Sequence, residues 1–158
     1  MNQCRFNVKK DDLLDGKIIE LLETHHAEMH LYSPPESIHA LDESTFKDSS
    51  ITYWGARGVD LMGCGALKVL SDDHGEIKAM RTSREYLRCG VATKILEAIL
   101  AEAVSRQYVR LSLETGSHES FFPAIKLYKK YGFIDCSPFG VYTLDPHSVF
   151  LTKQIGNI

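Results

Sequence analysis

Neither sign of charge is in real excess in this chain. Lys and Arg number 18 against 21 Asp and Glu, a formal net charge of −3 with a pI near 6.1. A nucleic-acid-binding surface needs a basic face to displace counterions from phosphates, so that class is set aside. No stretch approaches the ~20 apolar residues of a membrane span, and the N-terminal MNQCRFNVKKDD lacks the apolar centre of an export signal. Cysteine is scarce and scattered: Cys4, Cys64, Cys89 and Cys136 include no pair at the close spacing of zinc sites or redox motifs. The expectation is a chain with reduced cysteines in the cytoplasm. Internal repeats and low-complexity segments are also lacking. What remains is 158 residues of 44% hydrophobic content, enough for one domain over 1–158 with one sizeable core.

The most informative stretch is residues 75–96, GEIKAMRTSREYLRCGVATKIL, where an extended segment meets a glycine-containing turn at the mouth of a helix. Gly90 and Ala92 let backbone approach a ligand closely. The helix beyond them leaves its first N–H groups without intrahelical partners and carries partial positive charge at that end, which suits a phosphate. Arg84 and Arg88 add guanidinium groups that match phosphate oxygens. The turn has neither the glycine-and-lysine pattern of a P-loop nor the G-x-G-x-x-G dinucleotide fingerprint, which weighs against a nucleotide-binding domain of those kinds.

Periodicity places an edge strand at 4–9 and a helix at 13–31, with Leu14, Ile18, Leu21, Leu22 and Met29 largely on one face. Pro34 and Pro35 end that helix. Strands follow at 51–57, 61–69 and 76–83, parted by turn-forming residues, as an antiparallel meander. An amphipathic helix at 90–107, a buried strand at 109–113, a helix at 124–131 stopped at Gly132, and strands from 133 onward and at 149–153 complete the order. The fold class expected is α/β (α+β): a mixed, mostly antiparallel sheet of about six to seven strands flanked by helices.

These residues resemble the GNAT acyltransferases, and within them a small YsnE-like group, over nearly the whole chain. The family's acyl-CoA motif, Gln/Arg-x-x-Gly-x-Gly/Ala, falls on Leu87-Arg88-Cys89-Gly90-Val91-Ala92, with Leu87 where Gln or Arg is usual. A second signature, Ala-x-x-Leu-Tyr-x-x-x-Gly-Phe, is matched by Ala124, Leu127, Tyr128, Gly132 and Phe133, while Phe121 replaces the asparagine usually found three places before the alanine. SPPESIHALD from Ser33, LSLETGS from Leu111 and DPHSVFLTK from Asp145 match the subgroup.

The resemblance implies a GNAT fold and acetyl-CoA as cosubstrate. Main-chain groups of Met80, Thr82, Leu87, Arg88, Cys89, Gly90, Val91, Ala92 and Thr93 would bind it. An amine must be neutral to attack a thioester, yet a free alkylamine has a pKa of about 10. The resemblance points to Glu76, eleven positions before the motif, as the base acting directly or through water; the alternative is that Glu76 merely caps the turn after Gly75. It also implies the Met80 N–H as oxyanion donor and Tyr128 as proton donor to the leaving thiolate. Tyr128 reads equally as a core tyrosine. Glu28, Ser33, Glu36, His39 and Glu114 lie where this fold receives its acceptor, and their carboxylates suit a cationic amine. Cys89 is read as a small residue tolerated in the turn, and Lys126, Lys129 and Lys130 as a solvated face. His26 and His30, four apart on one helical face, are two ligands at most, so no metal is expected. The leading expectation is an N-acetyltransferase acting on a primary amine of a small molecule or peptide, with no nucleic acid or membrane partner and a possible homodimer. The alternative is a non-catalytic acyl-CoA-binding regulatory module.

Overall fold

The structure is a computed structural model that describes residues 4–29, 31, 33–37 and 46–156. Its centre is a seven-stranded sheet in the order β1-β2-β3-β4-β5-β7-β6. Strands β2 (Ile51–Arg57), β3 (Leu61–Ser71) and β4 (His74–Thr82) form the expected antiparallel meander, and the edge strand expected at 4–9 is β1 (Asn7–Asp11), antiparallel to β2. Helix α1 (Lys17–Met29) connects β1 to the chain leading into β2. After β4, helix α2 (Val91–Ser105) crosses over so that β5 (Arg110–Gly116) returns parallel to β4. Helix α3 (Phe122–Lys130) precedes the two-residue β6 (Ile134–Asp135), and β7 (Ser148–Gln154) inserts antiparallel between β5 and β6.

Two apolar layers hold the sheet. On one face Val91, Ile95, Leu96, Ile99 and Ala103 of α2 are essentially solvent-free and pack with Leu67, Ile77, Leu111, Leu113 and Leu151. Burying each Ile or Leu contributes about 1.5–3 kcal/mol. On the other face Ile18 and Leu22 of α1 cover Ile51, Tyr53, Cys64 and Ala66.

Where boundaries depart from the sequence reading, local hydrogen bonds explain it. The first helix begins at Lys17 because Asp12 and Asp15 use their side chains to accept from the N–H groups of Leu14 and Lys17, turning the chain before the helix starts. The strand expected from 133 onward shrinks to two residues. Beyond it the chain leaves the sheet edge and folds Phe139 and Tyr142 over Phe150 at ring separations of 6.0 and 5.6 Å.

Two strand irregularities create the site. β4 pairs with β5 only from His74 to Ile77, after which β4 follows β3 and β5 follows β7, so the two parallel strands part. Inside the diverging section β4 carries a bulge: Ala66 faces Lys78 but Cys64 faces Arg81, leaving one extra residue on β4. Ala79 takes a φ of +57° to accommodate it, and the Cys64 thiol donates to the Ala79 carbonyl oxygen at 3.3 Å.

Candidate active site

The parted strands open a cleft of about 560 Å³, walled by the ends of β4 and β5, by α1 on one side, and by α3 with the Glu119–Phe121 turn on the other. Because of the bulge, strict alternation along β4 fails. Ile77 and Met80 pack on the α2 face, whereas Ala79 and Arg81 reach the α1 side, Arg81 pairing with Glu28. Of the expected site residues, Glu76, Met80, Thr82, Leu87, Ala92, Tyr128, Glu28 and Glu114 line this cleft. Ser33 and Glu36 do not line it, and His39 lies outside the described residues.

Glu76 is only 3% exposed. Its Oε2 accepts a hydrogen bond from the Tyr142 hydroxyl at 2.6 Å and an ion-paired one from Lys78 Nζ at 3.2 Å, while Lys78 also donates to the Tyr142 oxygen at 3.0 Å. Burial first, then the Glu76 charge, pushes the Tyr142 hydroxyl well above its ordinary range, so it remains a donor. Neither Lys78 nor Tyr142 was anticipated as a partner of Glu76. Tyr142 follows Glu76 by 66 positions in a segment without periodicity, and only the fold of residues 136–147 over β7 brings it in.

Across the cleft, Tyr128 is 5% exposed and stands edge-on to Phe133 at 5.7 Å. Burial raises its hydroxyl well above the usual phenol range. A phenol so shifted holds its proton more firmly than a thiol does, so it suits donating a hydrogen bond to a thiolate sulfur better than surrendering the proton outright. Phe121, standing where asparagine is usual, forms a wall: its ring lies against Gly116, where a Cβ would fall 2.8 Å from Cζ.

At the mouth of the cleft, Gly90 caps α2 with φ +78° and without a side-chain hydrogen bond. The first intrahelical bond is Lys94 N–H to Gly90 O at 3.1 Å, so the N–H groups of 91–93 precede the ladder. Arg88 also has positive φ, +66°. The Val91 side chain is in the core at 1% exposure, which leaves that residue only its main chain to offer a ligand.

Two expectations are overturned here: that all four cysteines are reduced, and that Cys89 is merely a small residue tolerated in the turn. Cys4 and Cys89 form a disulfide across 85 positions, with Cα atoms 5.2 Å apart, so Cys89 tethers the N-terminal segment to the turn and is not a free small residue. A search for close spacing misses it because the pairing comes from β1 lying along the sheet beside α2. Cys64 and Cys136 are free, and burial raises the Cys64 thiol to about 12.

On the α1 side, Glu28 accepts a hydrogen bond from Arg81 and forms an ion pair with Arg84 at 3.1 Å. His25 lines the same wall, and burial, aided by the Arg81 charge, lowers its pKa to about 4. Among the described residues no three His, Cys, Asp or Glu side chains gather as a metal site, and no helix is long and apolar enough to cross a membrane.

The comparisons agree with this geometry. A family model for the acetyltransferase (GNAT) family matches residues 18–133. The chain is 52% identical over 150 residues to the uncharacterized N-acetyltransferase YsnE of Bacillus subtilis, covering 94% of this chain and 99% of that one. A crystal structure of a Klebsiella pneumoniae protein assigned as an acyl-CoA N-acyltransferase superposes with a TM-score of 0.82 at 26% identity, over 97% of this chain and 99% of that one. The fold is shared too with a GNAT family acetyltransferase from Elizabethkingia anophelis crystallised with acetyl-CoA bound, at TM-score 0.66 and 16% identity, over 94% and 97% of the two chains. A cleft between parted parallel strands, faced by an uncapped helix N-terminus and matched by a family model over most of its walls, leads to one conclusion: the chain belongs to the acetyltransferase (GNAT) family.

Proposed function

We propose that the chain, 1–158 as one domain, transfers an acetyl group from acetyl-CoA directly to a primary amine of a small molecule or peptide within a ternary complex. The observation that carries this is the cleft itself. Buried Glu76 stands on one strand, Tyr128 stands on the facing helix, and α2 presents its uncapped N-terminus at the mouth.

In this reading the main-chain groups of Leu87 to Thr93 hold the pyrophosphate, as helix N-termini hold anions. The pantetheine arm lies along Met80 and Thr82, taking main-chain hydrogen bonds where β5 has moved away. Glu76 accepts the proton of the attacking amine, directly or through water. The amine nitrogen then bonds to the thioester carbonyl carbon, and the Met80 N–H stabilises the oxyanion from a bulge that removes it from ladder pairing. On collapse the C–S bond breaks with its electron pair going to sulfur. Tyr128 donates a hydrogen bond to that thiolate, which takes its proton from water. The products are an amide and free CoA thiol. The residues present call for no metal in these steps, and a cytoplasmic setting suits a CoA-dependent enzyme.

Amine-dependent release of CoA thiol tests this. Acetyl-CoA consumed only when an amine is present, with intersecting initial-rate lines when both substrates are varied, is the expected result. Tight acetyl-CoA binding with no thiol release from any amine points instead to a CoA-binding module. Parallel lines contradict the ternary complex.

A further inference from the structure

We propose that the acceptor is an amino carboxylate, a small molecule whose primary amine is acetylated while its own carboxylate is held on the α1 side of the cleft by Arg81, with His25 beside it. This rests on the transferase reading and narrows its substrate class.

The charges lining the cleft are three acids, Glu28, Glu76 and Glu114, and three bases, Lys78, Arg81 and Arg84. Glu76 is held by Lys78 and Tyr142, and Glu114 accepts from the Ser148 hydroxyl at 2.6 Å. Among the described residues, Glu28 alone pairs with both Arg81 and Arg84. On the α1 side one carboxylate therefore stands between two guanidinium groups, a local positive excess that Glu114 on β5 balances only across the cleft. Arg84 is 74% exposed, so water screens its share, whereas the Arg81 side chain is only 23% exposed and its charge is felt inside the cleft.

The orphaned atoms point the same way. Among the described residues, Arg81 Nε and His25 Nδ1 are buried side-chain nitrogens without a hydrogen-bond partner, and both belong to residues lining this cleft. A buried N–H with no acceptor is costly, and an arginine fork that still has a free donor is shaped for an incoming carboxylate. His25 with its proton on Nδ1 adds a second donor. A polyamine would find the carboxylates of the cleft but would bring positive charge against Arg81 and leave that side unanswered, which penalises it relative to an amino carboxylate. The cleft of about 560 Å³ must also hold the pantetheine arm, and the space left inside it suits a small acceptor.

The test is calorimetric titration of the CoA-saturated protein with N-acetyl-L-amino acids of varied side chain and with the matching N-acetyl carboxamides. These are product analogues, so binding is read without turnover. We expect at least one carboxylate to bind about ten- to a hundredfold more tightly than its carboxamide. Arg81→Gln should bring the two within about threefold while CoA affinity is kept, and Arg81→Lys should retain part of the preference. If Arg81→Gln does not fold, the comparison in the unsubstituted protein together with Arg81→Lys decides. Equal binding of carboxylate and carboxamide, survival of the preference in Arg81→Gln, or binding by no carboxylate overturns the inference. Thiol release from amines without a carboxylate, as fast as from amino acids, overturns it and leaves the transferase standing. Selective carboxylate binding with no thiol release from any amine sinks the transferase and leaves this site in place.

Discussion

Glu76, Lys78 and Tyr142 form a closed triangle of hydrogen bonds in which the carboxylate is the sole anion. Tyr142→Phe removes one donor and leaves the ion pair, so kcat should fall by about tenfold with acetyl-CoA affinity unchanged, and Glu76→Gln should cost about a hundredfold or more. Wild-type turnover in Glu76→Gln would assign Glu76 to the turn alone. His25 has a separate consequence for stability. Its folded pKa of about 4 lies below the unfolded 6.5, so the unfolded chain binds the extra proton first as pH falls. Stability is therefore full above about 6.5 and is lost progressively down to about 4, by no more than about 3 kcal/mol given partial exposure. Thermal midpoints measured across that window should drop in the native protein and drop less in His25→Gln. An equal drop in both contradicts burial of His25 as the cause.

At the scale of elements, the division of labour between α2 and α3 is testable by two substitutions. Gly90→Val places a β-branched residue at φ +78° where the helix offers its N–H groups, and should weaken acetyl-CoA binding by about tenfold or more. Tyr128→Phe should lower kcat by about tenfold to a hundredfold and leave that affinity alone. Equal loss of binding in both, read by calorimetry, sinks the division. These two elements were legible in the sequence because their signals are local: a glycine before a helical stripe, and an apolar period ended by Gly132. Strand β2 was read at its observed bounds for the same reason, since alternation and flanking turns suffice. The bulge in β4 was not legible. Strict alternation puts Glu76, Lys78 and Met80 on one face and Ile77 and Arg81 on the other, but the extra residue at Ala79 sends Met80 to the α2 face and Arg81 toward α1. An alanine with positive φ leaves no mark in the sequence, because its conformation is imposed by β3 and α1. The acceptor wall was legible only in part: Glu28 and Glu114 were named, whereas His25, Lys78, Arg81 and Tyr142 depend on long-range packing.

For the molecule as a whole, the Cys4–Cys89 bond joins the N-terminal segment to the turn at the cleft mouth. Thiol titration of the unreduced protein in denaturant should therefore find two thiols, from Cys64 and Cys136, rising to four after reduction. Four thiols before reduction contradict the bond. Closing a loop of 85 positions constrains the unfolded chain by about 4.6 kcal/mol in the chain-entropy view, so Cys4→Ser should also lower the thermal midpoint under non-reducing conditions. The central claim concerns what the parted strands receive, and the electron density of crystals grown with acetyl-CoA tests it most directly. The pyrophosphate should lie on the N–H groups of 91–93, the pantetheine arm along Met80 and Thr82, and the thioester sulfur within hydrogen-bonding reach of the Tyr128 hydroxyl. Acetyl-CoA bound elsewhere, or its sulfur remote from both Tyr128 and the Met80 N–H, contradicts the account.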